Sequence, residues 1–373
     1  MQGQLIFAAL MIVTAPVIAA GGNKSKSDIP ATYCAYEIGQ LPGMPPGDTS
    51  LDVRAINNRN QIVGWTAVSD GVSPSRAFIW ERNAGMRDLG SLPGHTSMVA
   101  TDINDAGTVV GDATDPETGE SLAFIWTKGR GVRAPDTSLG GVNSFATGIN
   151  RSGQIVGASQ TGTGEFHAFL REANGDVLDL GAFADGTGSS GATAVNGLGQ
   201  VVGTLVFGPF QDGFLWNERD GLALVLKDPP PAFFVFPQDI NNGGEIVGDI
   251  VGREPGRAFR WKLGEGFLFL GTLSGIDTHF ATARAVNLFG TIVGGSQTTS
   301  GDVHGFVWSS QTGMRDLNEM IDPSSEIRSD VVLGAAAGIN DAGSIALVSF
   351  VPGEESQRGV LLVPQRYPGK RCQ

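Results

Sequence analysis

The chain has 373 residues, a formal net charge of −13, 55 glycines, four histidines and two cysteines. Its few basic residues are scattered, which excludes nucleic acid and anionic membrane surfaces as partners. No segment keeps a helical period, which excludes a helical bundle, and glycine at about twice its usual ~7% share suits a chain that turns every few residues.

Residues 1–20, MQGQLIFAALMIVTAPVIAA, form an apolar run ending in small residues. This predicts a secretory signal cleaved near Ala19 or Ala20, followed by a flexible leader over 21–32. A membrane anchor is the lesser reading, because the run is barely long enough to span and no charge precedes it. Neither cysteine follows the cleavage point as in a lipoprotein. The expectation is an exported protein, secreted or periplasmic, with no transmembrane segment once mature and in a compartment where disulfides persist.

From residue 33 onward a single unit recurs. A β-branched residue precedes asparagine at Ile56-Asn57, Ile103-Asn104, Ile149-Asn150, Val195-Asn196, Ile240-Asn241, Val286-Asn287 and Ile339-Asn340, with spacings of 47, 46, 46, 45, 46 and 53 residues. So regular a period means one supersecondary unit copied seven times. Three residues after the asparagine stands glycine, or Asn60 in the first copy, which predicts a left-handed turn position. Seven residues after it an IVG or VVG run ends, except in the last copy. A strand such as AFIW (77–80 and 123–126) comes next, then a turn and a fourth run such as MRDLGSL (86–92). Four short strand-like runs per copy predict a four-stranded antiparallel sheet.

The seventh copy lacks its fourth run, and residues 36–43, YEIGQLPG, resemble DLGSLPG of the first copy. An N-terminal strand completing the last sheet closes a ring and removes open edges. The predicted fold is therefore all-β: a single domain over 33–373, a seven-bladed β-propeller of four-stranded antiparallel blades. An open β-solenoid with capped ends is the alternative. Closure brings Cys34 and Cys372 together, so a disulfide between them is expected, with two free thiols as the other possibility.

In a propeller, the loops joining blades and the second-to-third strand loops share one face. The apolar connection containing Phe233, Phe234 and Phe236 and the charged one containing Asp322, Glu326, Arg328 and Asp330 are candidates for a groove there; packing of the phenylalanines against the channel or a neighbouring blade is the alternative. His95 and His279 lie on comparable loops. Trp80, Trp126, Trp216, Trp261 and Trp308 each come two residues after a phenylalanine, so both rings face one side, and their recurrence points to packing between blades. Trp65 stands outside that pattern and is the better candidate for exposure. The repeated asparagines are expected to bond the backbone of the following turn. Asp102, Asn104 and Asp105, and Asp239 with Asn241, lack the spacing of an EF-hand. No CxxC, HExxH, GxSxG or phosphate-loop pattern occurs, so no catalytic residue, metal site or cofactor is expected.

INDAG with VVG at 103–111, HAFL at 167–170, MRDLGSLPG at 86–94 and INRSGQIVG at 149–157 resemble the HAF repeats of bacterial extracellular repeat proteins, over nearly the whole mature chain. The resemblance implies export and a propeller-like repeat, and carries no activity. The histidine that names the repeat occurs only at His167 and His304, with Arg76, Leu122, Asp212, Arg257 and Arg358 in its slot, which argues against a metal or catalytic role. Two function classes remain. The preferred one is a monomeric, non-catalytic module that binds a glycan, peptide or protein, or serves as a structural module. The other is a propeller hydrolase or lyase acting at the channel mouth.

Overall fold

A computed structural model of the protein describes residues 29–372 except 46–48, 69, 71–72, 182–187, 208–209, 227–233, 253–255, 326, 328–329, 355 and 366–370. Seven four-stranded antiparallel sheets form a β-propeller. Blades one to six span 49–88, 97–133, 140–181, 189–225, 234–269 and 281–316, each with its strands in sequence order. Blade seven takes three strands from 332–364 and its outermost from Tyr33–Glu37, which pairs antiparallel with Gln357–Pro364 in the register Ala35 to Leu362. The ring is thus closed by the N-terminus, as the missing fourth run predicts.

The closing strand starts three residues earlier than the run 36–43, because the resemblance to the first copy belongs mostly to the turn residues after the strand. Both segments end their strand on an acid, Glu37 and Asp88, then bury an isoleucine or leucine (Ile38, Leu89) and a second leucine (Leu41, Leu92). Glycines with positive φ stand at Gly39 and Gly43 in one and at Gly90 and Gly94 in the other. The disulfide joins Cys34 to Cys372 across 338 residues, with the Cα atoms 5.5 Å apart.

Phe78, Phe124, Phe169, Phe214, Phe259 and Phe306 are fully buried, and the five strand tryptophans are nearly so. Each Phe–Trp pair packs across a blade boundary: Phe124 and Trp126 of blade two meet Val63, Ala77 and Ile79 of blade one. Each such phenylalanine contributes roughly 2–3 kcal/mol by leaving water, so the core is divided among the blade interfaces.

The innermost strand of every blade carries a bulge, for example between Val53 and Ala55 and between Pro237 and Asp239. A bulge re-aims one side chain, and here that residue faces the central channel: Arg54, Thr101, Thr147, Thr193, Gln238, Arg284 and Ala337. The bulge also explains the IVG glycine. A Cβ on Gly64, Gly111, Gly157, Gly203, Gly248 or Gly294 would collide with a carbonyl oxygen of the innermost strand. Blade seven carries Leu347 in that slot, paired with Ala336 of its innermost strand. Among the described residues, Asn60 is the one non-glycine with positive φ, at 58°, the conformation its place in the repeat predicts.

Candidate functional site

The two ends of the channel differ. At one end the asparagines sit in the first-to-second strand turns, where Oδ1 of Asn57 accepts from the backbone N–H of Arg59 and Gln61, both at 3.0 Å. That is the local role the sequence suggests. The Nδ2 group does something the repeat alone does not reveal: it donates to the backbone carbonyl of the corresponding asparagine one blade on. Asn57 reaches Asn104, and the chain continues through Asn150, Asn196, Asn241, Asn287 and Asn340 back to Asn57, at 2.9 to 3.2 Å. This closed ring borders a polar cavity of about 470 Å³.

Deeper in the channel two carboxylates bridge innermost strands. Asp102 accepts from the N–H of Ile103 (2.7 Å) and of Ile149 in the next blade (2.8 Å). Asp239 does the same with Ile240 and Val286, both at 2.8 Å. Burial outweighs those donors and pushes both carboxyls up to about 6. The slot holds Ala55, Gly148, Ala194, Ala285 and Gly338 in the other blades.

The opposite end opens on the blade-joining face through a mouth of about 490 Å³. Thr101, Thr147 and Thr193 donate to the carbonyls of Ala146, Ala192 and Pro237 in the next blade, at 2.7, 2.8 and 2.9 Å. Arg54 pairs with Asp52 at 2.8 Å. Between blades five and six this mouth passes, by way of Gln238 and Arg284, into a cleft of about 410 Å³ walled by Phe236, Val251 and Phe280 with Asp249 and Thr282 beside them. Thr282 Oγ1 donates to Asp249 at 3.0 Å and Gln238 bonds the same carboxylate. Burial raises the Asp249 pKa, against the opposing effects of Thr282 and Arg284. Asp112, in the equivalent slot of blade two, is pushed up to about 6 by burial.

Of the residues proposed from sequence, Phe236 lines this cleft, and Phe234 sits half-buried two residues earlier, paired with Val251. Phe233, Glu326 and Arg328 lie outside the described residues. Asp322 is not part of the cleft wall. Its backbone N–H donates to Tyr33 (2.8 Å), and its carboxylate accepts from Ser324, which holds it below the usual range. Ser324 Oγ accepts from Cys372 N–H and Ser325 Oγ from Ala35 N–H. The sixth-to-seventh connection therefore clasps the closing strand. Asp330 is exposed just before Val332–Ile339. His95 and His279 are partly buried on the loops between blades one and two and blades five and six, so the ring holds them apart. Trp65 is half-buried in the second strand of blade one, and its indole N–H has no partner among the described residues. Arg284, Gln238 and Phe280 carry no motif in the sequence; the one signal for Arg284 is its break from the threonine of copies two to four.

The histidine slot has a structural role. His167 pairs with Asp179 at 3.0 Å and His304 with Asp316 at 2.6 Å, where blade one places Arg76 with Asp88 and blade seven places Arg358 with Glu37. Each pair ties the third strand to the outermost one. Among the described residues no group of three or more histidines, cysteines or acids is placed to hold a metal, and no helix is long and apolar enough to cross a membrane.

No protein-family model and no curated protein sequence matches the chain. Among solved structures it is similar to an oligogalacturonate lyase in complex with manganese, with 10% identity, a TM-score of 0.57 and coverage of 90% of this chain and 96% of that one. It is also similar to YCF48 from Cyanidioschyzon merolae, with 10% identity, a TM-score of 0.51 and coverage of 89% and 99%. At this identity the likeness is one of fold alone.

Proposed function

We propose that the protein is an exported, non-catalytic binding module of the HAF-repeat kind that takes its ligand on the blade-joining face. The observation that carries this reading is the continuity of two cavities there, the channel mouth and the partly apolar cleft between blades five and six, through Gln238 and Arg284. Concave sites with an apolar wall and a few converging polar groups are where ligands bind. Asp102, Asp239 and Asp249 are engaged by backbone N–H, hydroxyl or amide donors, which suits holding blades together better than proton transfer. Export is supported by the apolar N-terminal run and by the disulfide.

Two measurements test the proposal. Mass spectrometry of fractionated cells is expected to find the chain outside the cytoplasm, processed near Ala20, with Cys34 and Cys372 bonded. Immobilised mature protein is expected to capture a partner from envelope extract, and the double variant F236S/F280S to lose it while L268S, on the outer strand of blade five, retains it. Capture by the folded double variant at the parent level rejects this face.

A further inference from the structure

The seven channel-facing bulge residues form a natural comparison, because the fold presents the same position seven times. Three are threonines bonded to the next blade, Arg54 is paired with Asp52, and Ala337 is apolar. Gln238 bonds Asp249. Arg54 and Arg284 are both exposed, and of the two only Arg284 makes no hydrogen bond or ion pair within 4 Å among the described residues. It stands at the junction of mouth and cleft, beside a wall of Phe236, Val251 and Phe280. On its other flank blade seven lines the mouth with Ala335, Ala336, Ala337 and Val348, which offer no side-chain polar group.

We propose that this junction binds the C-terminus of a peptide, with the terminal α-carboxylate on the Arg284 guanidinium and an apolar last side chain in the cleft between blades five and six. A planar guanidinium receives a carboxylate through two parallel hydrogen bonds, and a protein chain end supplies that group next to a single side chain. Asp249 beside the arginine already accepts from Thr282 and Gln238. A sugar is the poorer match. Its several hydroxyls need converging donors and acceptors, whereas Thr282 and Gln238 are already committed to Asp249, and the remaining wall is phenylalanine and valine. The assignment rests on the binding-face reading above and gives that face its ligand class.

The test is fluorescence anisotropy with N-terminally labelled Gly-Gly-Phe, as the free acid and as the C-terminal amide, on the oxidised mature protein. The acid is expected to bind at least tenfold tighter than the amide. Arg284→Gln is expected to bring the acid down to the amide's affinity without changing the amide, Arg284→Lys to keep part of the preference, and Phe236→Ser to weaken both peptides alike. Equal affinity of acid and amide, or an unaltered preference in Arg284→Gln, overturns the proposal. So does binding of a hexuronate trimer in place of the peptides. If neither peptide binds while F236S/F280S still abolishes partner capture, the chain-end assignment falls and the binding face stands.

Discussion

The side-chain amide of Asn340 donates to the backbone carbonyl of Asn57 at 3.0 Å, across 283 residues of sequence. It is the seventh bond of a ring whose other six join blades adjacent in sequence, and it exists only because the N-terminal strand brings blade seven to blade one. Together with the 33–37 strand and the disulfide, it makes closure a property held at both the inner and the outer circumference of the propeller.

The asparagine ring makes a distinguishing prediction. Asn104→Asp preserves the oxygen that accepts from Ala106 and Thr108 but turns a second oxygen toward the Asn150 carbonyl, 3.1 Å from Nδ2 in the parent. At pH 7 it is expected to lose about 2–3 kcal/mol in urea unfolding, at least as much as Asn104→Ala. Protonation of the aspartate restores a donor, so the deficit shrinks on acidification. A harmless Asn104→Asp at neutral pH means that the ring bond contributes nothing.

Reduction of the Cys34–Cys372 bond, or Cys372→Ser, frees the two ends of the chain. The expected loss is about 3–5 kcal/mol, the upper figure being the loop-entropy value for so long a span. Denaturant unfolding with and without reductant measures it, and a loss below about 1 kcal/mol means that strand pairing and the asparagine ring suffice.

Asp102, Asp239 and Asp112 have pKa values near 6 in the folded protein against an ordinary 3.8, because burial disfavours their charge. A carboxyl whose pKa is higher folded than unfolded favours the folded state fully below about 4. That contribution is lost as pH rises through 6. At about 1.4 kcal/mol per unit, each group is worth roughly 3 kcal/mol across this window. The melting temperature is expected to be higher at pH 5 than at pH 8, and D102A/D239A, which installs the small residue of the other blades, to flatten the profile. Below about pH 4 the trend reverses through Asp115 and Asp322, which hydrogen bonds from Glu117 and Ser324 hold below the usual range. A profile unchanged by D102A/D239A refutes the assignment.

Gly248→Ala sets a Cβ against the Phe236 carbonyl, which the bulge holds in place. The expected cost is about 3 kcal/mol or more. Gly191→Ala, whose added Cβ would meet nothing nearer than 3.8 Å, is expected to change stability by under about 1 kcal/mol. Thermal melts of the two variants decide whether close approach, and not glycine content, explains the IVG run.

Much of this molecule is legible in the sequence because the repeat reports local physics seven times over. Asn60 in place of glycine marks a left-handed turn, the missing fourth run of the last copy marks the closing strand, and a phenylalanine two residues before a tryptophan marks one buried face. The candidate site is less legible. Phe236 stands out as an aromatic in a connection, but Arg284 and Phe280 do not, since neither carries a motif. Asp322 reads as part of a groove because its charge is visible and the residue its backbone N–H bonds, Tyr33, is far away in sequence.

What the sequence determined by itself was whatever one unit settles alone: strand periods, turn conformations, the number of blades and the residues that ring closure requires. The tertiary structure alone decided what happens between copies. The second hydrogen bond of each asparagine, the carboxylate bridges of Asp102 and Asp239 and the junction at Arg284 all need groups supplied by another blade or by the channel the blades enclose. Hydrogen bonds and cavities depend on positions good to a fraction of an ångström, and a chain fixes those between distant segments only once its ring has closed.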